Sequence, residues 1–472
     1  MTAPVPARPV PSSDGRWRIV TVVVVALVVA LAVQAITSTD GQPDADAETA
    51  AMIPPADAVS SAWYCAAGSS APDGLGDEVL FVTNLSERAA RAEVSVMPGS
   101  TEPVATTPVE LAPRTQTRIR VADVLATAEP GVLVEAFGGR VVVEHGISGS
   151  GDLAVGACAT RAATSWHFGA GTTDPDAQLW LALFNPFGDD AIVDLSFLTD
   201  TGFEVPGDTQ GLVVPRRSRV TLAIHDLVRR QPVVATQVEA RSGRIVAEQV
   251  QQRVVEPTGL ALSLGVIEPT SRVFFPSIPF EGASVVSIAN PGAAPARVPV
   301  RTHLDGDATL APEIAVVPSR SVSAVDVAAR VPVGLGSWVE VDARDRFVAE
   351  QLLAVDGTGF AYVAGIAVTA RSWALAEART DAESRDLVIA VNPSPRSARV
   401  TLEVISGGER TTARTVTIEA GRRALFDLDE LDVPVGSGLV VRSSRPIAVA
   451  RESIGSAGFT ATPAIPEGAS GS

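Results

Sequence analysis

The sequence predicts an all-β protein, with four tandem immunoglobulin-like β-sandwich modules behind one N-terminal transmembrane helix. Three observations carry this expectation. A strand-breaking asparagine recurs at Asn84, Asn185, Asn290 and Asn392, at spacings of 101, 105 and 102 residues. That period is the size of one small sandwich domain. After each asparagine the chain restarts into alternating apolar and polar residues, the period of a half-buried strand. Near the start, Ile19 to Ile36 is an uncharged run of 18 residues.

Residues 1–18 hold four prolines and read as a disordered cytoplasmic stub. The apolar run IVTVVVVALVVALAVQAI would form a helix of about 27 Å, close to the hydrocarbon thickness of a bilayer, and the transmembrane helix is placed at 19–37. Arg8, Arg16 and Arg18 precede it. Asp40, Asp44, Asp46 and Glu48 follow it, with no arginine before Arg88. The positive-inside rule puts the N-terminus in the cytoplasm and the bulk outside, as a single-pass cell-membrane protein. A cleaved signal peptide is the competing reading, since Val33-Gln34-Ala35 resembles a small-x-small cleavage site. The run exceeds the usual ~7–15 residue signal core, which favours a retained anchor. Residues 38–60, rich in Ala, Asp, Pro and Thr, read as an extended acidic stalk. The net charge is −17 and every basic residue is arginine, with no basic run after the apolar segment. Phosphate binding needs a positive face, so nucleic acid is excluded as a partner.

The four modules span 61–162, 163–269, 270–369 and 370–466, with a tail at 467–472. They open on SAWYCAAG from Ser61, TSWHFGAG from Thr164, SRVFFPSI from Ser271 and RSWALAEA from Arg371. Trp63, Trp166 and Trp373 share one column, with Val273 in the odd copy. A tryptophan in this setting reads as a core plug, with a ligand-stacking platform as the alternative. The next strand ends on the asparagine. The one after it alternates: Ala191, Val193, Leu195 and Phe197 in copy two, Ala398, Val400, Leu402 and Val404 in copy four. Pro299 in copy three cannot donate to a ladder, which places that strand at or near a sheet edge.

Pro113, Pro215 and Pro318, and Ala420-Gly421 in copy four, start turns further along. A hairpin is expected next, in VLVEAFGGRVVVEH from Val132, TQVEARSGRIVAEQ from Thr236 and SWVEVDARDRFVAEQ from Ser337. Its acid and base, Glu135 with Arg140, Glu239 with Arg244 and Glu340 with Arg346, would pair across strands. Such a pair sets register and adds ~0.2–1 kcal/mol. Copy four, LVVRSSRPIAVARE from Leu439, has no acid there. Val121 to Ala128 and His225 to Arg230 could form single helical turns. A β-propeller, with its ends meeting in a ring, is the alternative architecture. The two cysteines lie inside one repeat rather than at the chain ends, which favours modules strung in a row.

Cys65 and Cys158 bracket module one and, in an exported chain, are expected to bond. Unpaired buried thiols are the alternative. The chemistry-bearing residues do not converge on a site. His145, His167, His225 and His303 each sit in a different context, and no zinc spacing, phosphate loop or nucleophile elbow appears. No catalytic, cofactor-binding or metal-ligating residue is assigned. The acidic glycine loops at Asp73, Leu304 and Val355 read as turns rather than calcium sites. The sequon Asn84-Leu85-Ser86 reads as chance. A hydrolase with a non-linear active site is kept as an alternative.

The opening W-[YHA]-x-x-A-[GE], followed about twenty residues later by an L-x-x-x-N-P strand, resembles a tandem repeat of exported actinobacterial proteins. Those proteins form a membrane-anchored family catalogued only as a domain of unknown function. The resemblance covers about residues 60 to 466 and departs at Val273 and at Asn84-Leu85. It implies an envelope protein with no defined functional residues. It also implies a setting beside membrane glycosyltransferases, and so a role as accessory subunit in building a surface polysaccharide. The expectation is a non-catalytic structural, scaffold or binding array. Its partners would be the membrane, through the N-terminal helix, and an envelope glycan or protein.

Overall fold

The computed structural model describes residues 48–468 apart from 56–57, 72–73, 75, 100–102, 150–151, 279–281, 307, 379–382 and 457. The expected stub, the helix at 19–37, the first part of the stalk and the last four residues lie outside the described residues. Among the described residues no helix is long and apolar enough to cross a membrane.

Module one runs β1 (Ser60–Cys65), β2 (Asp77–Asn84), β3 (Ala90–Pro98), β4 (Ala105–Leu111), β5 (Thr115–Arg120), β6 (Pro130–Phe137), β7 (Val141–Gly149) and β8 (Asp152–Ala157). These pair antiparallel into two sheets, β1-β6-β3-β4 and β5-β2-β7-β8. Module two is β9 (Ser165–Phe168), β10 (Ala177–Asn185), β11 (Ala191–Thr199), β12 (Phe203–Glu204), β13 (Leu212–Val214), β14 (Ser218–Ala223), β15 (Val234–Ser242), β16 (Val246–Arg253) and β17 (Gly259–Leu264). A one-turn helix α1 (Ile224–Leu227) follows β14. Module three is β18 (Thr270–Ile278), β19 (Ala283–Asn290), β20 (Ala296–Leu304), β21 (Glu313–Val317), β22 (Ser321–Asp326), β23 (Ser337–Val355) and β24 (Gly359–Ala364). Module four is β25 (Ala370–Leu375), β26 (Arg385–Val391), β27 (Ala398–Ser406), β28 (Glu409–Ile418), β29 (Arg423–Asp427), β30 (Gly438–Gly455), β31 (Gly458–Pro463) and β32 (Ile465–Pro466).

The pairing order of module one repeats in all four modules. The alternation read from sequence matches burial, with Ala191, Val193, Leu195 and Phe197 inside and Ile192 out. Each core mixes side chains from both sheets, for example Val94 and Val134 with Val82 and Val143. The modules are therefore two-layered and all-β. Their strand order is not that of an immunoglobulin domain, in which the first two strands are neighbours. Here β1 pairs with β6, and β2 lies in the other sheet. Pro299 lies just beyond the stretch in which β20 pairs with β23, and faces the edge strand β21.

The expected hairpin is replaced by a change of layer. β6 pairs with β1 and β3, whereas β7 pairs with β2 and β8. In modules three and four the two segments are one long strand each, β23 and β30, that belongs to both sheets. The residues read as a hairpin turn are the exposed stretch where the chain crosses, as at 344–346.

The modules form a closed ring in a four-bladed, propeller-like arrangement. The last strand of each module lies at the axis: β8 adjoins β17 and β31, and β24 adjoins the same two. The ring closes where the chain ends meet. Ile53 N–H donates to Pro466 O at 2.9 Å, and Gly468 N–H to Ile53 O at 3.2 Å. This corrects the expectation of strung modules, because backbone pairing closes the ring without a disulfide. It also corrects the stalk, since Ala50, Ala51 and Ile53 are buried in the body.

Candidate functional site: module joints and an axial cavity

The asparagine column joins the two layers of each module. Asn185 Nδ2 donates to Asp189 O at 2.8 Å and to Val214 O, at the end of β13, at 3.0 Å. Its Oδ1 accepts the Phe187 N–H at 3.1 Å. Asn84, Asn290 and Asn392 repeat this pattern with Arg88 and Leu111, Ala294 and Val317, and Arg396 and Ile418. The Asn84 amide is thus buried and committed, which suits a structural post rather than a glycan acceptor. Trp63, Trp166 and Trp373 are fully buried, and Trp166 Nε1 donates to Ile245 O at 2.8 Å.

Cys65 and Cys158 form a disulfide. The acid–base pairs expected across the hairpin find other partners, because their two strands lie in different sheets. Arg140 pairs with Glu467, and Arg244 lies over the Phe187 ring at 5.2 Å. Glu135 faces Glu93 and Ala62 in the strand register, and Glu239 accepts from Ser165 Oγ at 2.8 Å. Glu340 meets Arg272 and His303, while Arg346 meets Glu268 at 3.2 Å.

The residues that join the modules are a second set of acids. Glu248 on β16 takes the Ala66 and Ala67 amides of module one, at 2.9 and 2.6 Å. Glu350 on β23 takes the Gly169 and Ala170 amides of module two, both at 3.0 Å. Glu144 on β7 takes the Glu377 amide of module four at 2.8 Å. Each therefore clamps the segment that follows its neighbour's opening strand. A Cβ on Gly169 would sit 2.8 Å from Glu350 N, so only glycine allows this approach. In module three the same segment carries Pro276, which has no amide hydrogen to give. There Ser277 Oγ donates instead, to Glu452 on β30. The residue on β30 in register with the other acids is Ala450, and Glu452 lies two residues on, on the same face.

The position after Glu248 and Glu350, and in register with it Arg451 just before Glu452, holds the other side of the segment. Gln249 Nε2 donates to Ala170 O at 2.7 Å, Gln351 Nε2 to Ser277 O at 2.9 Å, and Arg451 to Glu377 O. A third column crosses the joints, with Arg219 reaching Gly68 O at 2.6 Å, Gln116 reaching Ala376 O at 2.7 Å and Arg423 reaching Pro276 O at 3.1 Å. Module one has His145 in the second column. Its Nδ1 lies 2.9 Å from Glu78 and its Nε2 3.3 Å from Glu248. Burial opposes protonation of this ring, but the Glu248 and Glu78 carboxylates outweigh it and hold the pKa up at about 10. The ring also lies near the disulfide, whose sulfurs are bonded to each other. His167 is a buried neutral group, pushed down to about 4 by desolvation.

At one end of the axis the four inner strands flare into a cavity of about 120 Å³. Leu262, Tyr362, Ala364 and Thr462 line it from β17, β24 and β31, and Phe347 and Trp373 from β23 and β25 of modules three and four. The segment 48–51 forms one wall. It is fastened by Thr160 N–H to Ala50 O at 2.9 Å and by the Glu48–Arg161 ion pair at 2.8 Å.

The family model for a family of unknown function, DUF5719, matches residues 148–428, more than half of the chain. The chain belongs to the DUF5719 family. The match begins within β7 and ends just after β29, so the DUF5719 unit crosses three joints and is not a single repeat. No curated protein matches the chain. Two solved structures show faint similarity. One is Salmonella alpha-2-macroglobulin reacted with methylamine, at 11% identity and a TM-score of 0.16, covering 87% of this chain and 33% of that one. The other is Streptomyces avermitilis alpha-L-rhamnosidase complexed with L-rhamnose, at 8% identity and a TM-score of 0.12, covering 88% and 56%. This DUF5719 chain spans well under two thirds of either protein, and neither likeness bears on its fold or function.

Proposed function

We propose that this protein is a non-catalytic, membrane-anchored, extracytoplasmic ring of the cell envelope, serving as a scaffold or binding platform. The observation that carries the reading is where the buried charge goes. Glu144, Glu248, Glu350, Arg219 and Arg451 are all turned onto neighbouring backbone or onto each other. A catalytic site needs titratable groups aimed at an open space where a substrate can sit. In this chain those groups are used to hold four modules together. Export is supported by the acidic balance and the Cys65–Cys158 bond. The expected helix at 19–37 would supply the anchor.

The test is affinity capture of the tagged full-length chain from its native membranes in polymer discs. The expected result is fractionation with the membrane and repeated recovery of one envelope protein or glycan. A membrane glycosyltransferase as that companion would make the role that of an accessory subunit. Recovery of the chain alone from the soluble fraction would overturn the reading, as would labelling of one serine by a hydrolase-directed probe.

A further inference from the structure

We propose that the axial cavity binds the hydrocarbon end of an amphiphile, such as an acyl or isoprenoid chain. The site stands on the cavity alone and would survive failure of the anchoring reading. Three features point to this ligand class. The buried lining is mainly apolar, with Leu262, Ile366, Phe347 and Trp373 around the space, and its polar members Ser263, Tyr362 and Thr462 are uncharged hydroxyl side chains. The volume of about 120 Å³ approaches the roughly 150 Å³ of a dry apolar cavity that holds benzene, so a few terminal carbons fit. The more exposed part of the lining carries Glu48, Thr49, Glu268 and Thr270 beside apolar residues such as Val266 and Val368. A mostly apolar space with polar groups on one part of its exposed border suits a molecule with one greasy and one wet end.

The strand geometry explains why the space persists. Ala364 follows Tyr362 by two residues on β24 and so points to the same side, toward the axis. Opposite it, β8 presents Gly156, whose missing side chain leaves room beside Leu262, while the adjacent Ala157 turns to the core of module one. The segment 48–51 then roofs part of the opening, held by module one through Thr160 and by Glu268 through the Glu48 amide at 2.9 Å.

The experiment labels the full-length chain in polymer discs with a diazirine-bearing alkyl amphiphile and maps the sites by peptide mass spectrometry. The expected label falls on peptides carrying residues 259–264, 359–366 and 458–466. Unlabelled alkyl amphiphiles should displace it, about fourfold more strongly per added methylene until the cavity is full, then no further. Ala364→Phe and Gly156→Phe fill the space from opposite walls and should each lower labelling at least fivefold. Their melting temperatures and the Cys65–Cys158 bond report whether the fold is intact. The chain-length series on the unaltered protein decides the matter even if both variants misfold. Absence of label on these strands, or label that no competitor displaces, would overturn the proposal.

Discussion

A carboxylate set mid-strand among side chains that are buried on both faces must find donors or stay protonated. Glu144 and Glu248 find backbone amides and also a cation close by, Arg451 at 3.9 Å and His145 at 3.3 Å. Glu350 has the two amides of module two but no arginine or histidine paired with it among the described residues. Burial pushes its carboxyl up to about 7, against the pull of Ser263 and of the Ala170 and Gly169 amides. Tyr362 is also pushed up by burial and so stays a neutral phenol. Because the folded pKa of Glu350 lies above an unfolded value near 4.5, its contribution to stability is full below that value. It is lost as pH rises to about 7. The loss across this window is on the order of 3 kcal/mol. Glu350→Gln keeps an acceptor for both amides and abolishes the ionisation. Urea unfolding at pH 5 and pH 8 should therefore show the difference shrinking by about that amount in E350Q. An unchanged difference would move the titration to Glu377, also held up at about 7 by burial at the opposite joint. Asn185→Ala deletes both Nδ2 bonds and strands buried carbonyls, which should cost about 2–4 kcal/mol by denaturant midpoint. A cost below 1 kcal/mol would show that the two layers hold without this post. The asparagines were legible because a broken strand recurs at one spacing. The clamping acids lie in the strings VVVEH, IVAEQ and FVAEQ, downstream of Glu135, Glu239 and Glu340, which their spacing to Arg140, Arg244 and Arg346 makes the better candidates. The feature that marks them is the unbroken apolar run before each acid, as in Val141 to Val143, Ile245 to Ala247 and Phe347 to Ala349, which signals a strand buried on both faces rather than an alternating one.

At the scale of elements, strand identity, the turns after Pro113, Pro215 and Pro318, and the single helical turns were readable from local chemistry. Helix α1 and the 3-10 turn at Val121–Asp123 fall where expected. What local pattern does not encode is which sheet a strand joins. β6 and β7 are separated by a short polar stretch, as a hairpin would be, yet they belong to different layers. The continuous strand β23 shows the reason. Ser337–Val341 and Phe347–Gln351 are largely buried in separate layers, and the exposed residues between them are a crossing rather than a turn. A double-mutant cycle between Glu239 and Arg244 should accordingly return a coupling near zero, within about 0.3 kcal/mol. A coupling near 1 kcal/mol would restore the hairpin. The disulfide is a different case, since its ends are far apart in sequence and meet only through the fold. It closes a separation of 93 residues. Replacing both cysteines by alanine should cost roughly 4–5 kcal/mol in the chain-entropy model, read as a lower urea midpoint in oxidising buffer. Addition of a reductant should then leave the variant's midpoint unchanged.

For the whole molecule, four equivalent modules could be strung out or closed on themselves, and a period of about one hundred residues fits both. Closure depends on groups that look unremarkable in sequence. Ala66-Ala67 and Gly169-Ala170 follow a strand, Pro276-Ser277 sit in the irregular end of β18, and Ile53 lies in a stretch that resembles a linker. Their role appears only when a neighbouring module's acid, or the far end of the chain, reaches them. A ring also makes stability collective, because each module is held on two sides and removal of one exposes two buried joints. Unfolding of the ring should then be one cooperative transition. Limited proteolysis of the intact chain should not accumulate fragments of about 100 residues, the product expected from independent sandwich modules. The seam between chain ends is the place to weaken this. Ile53→Ala removes a fully buried side chain from the residue whose backbone pairs with Pro466 and Gly468, at a cost of about 2–5 kcal/mol. In that variant, protease sites near the axial segment 48–53 and near β32 should open together, before any site within modules two and three. If modules two or three were instead released first, or if single modules accumulated, the joints would be weaker than the seam and the array would behave as separate beads.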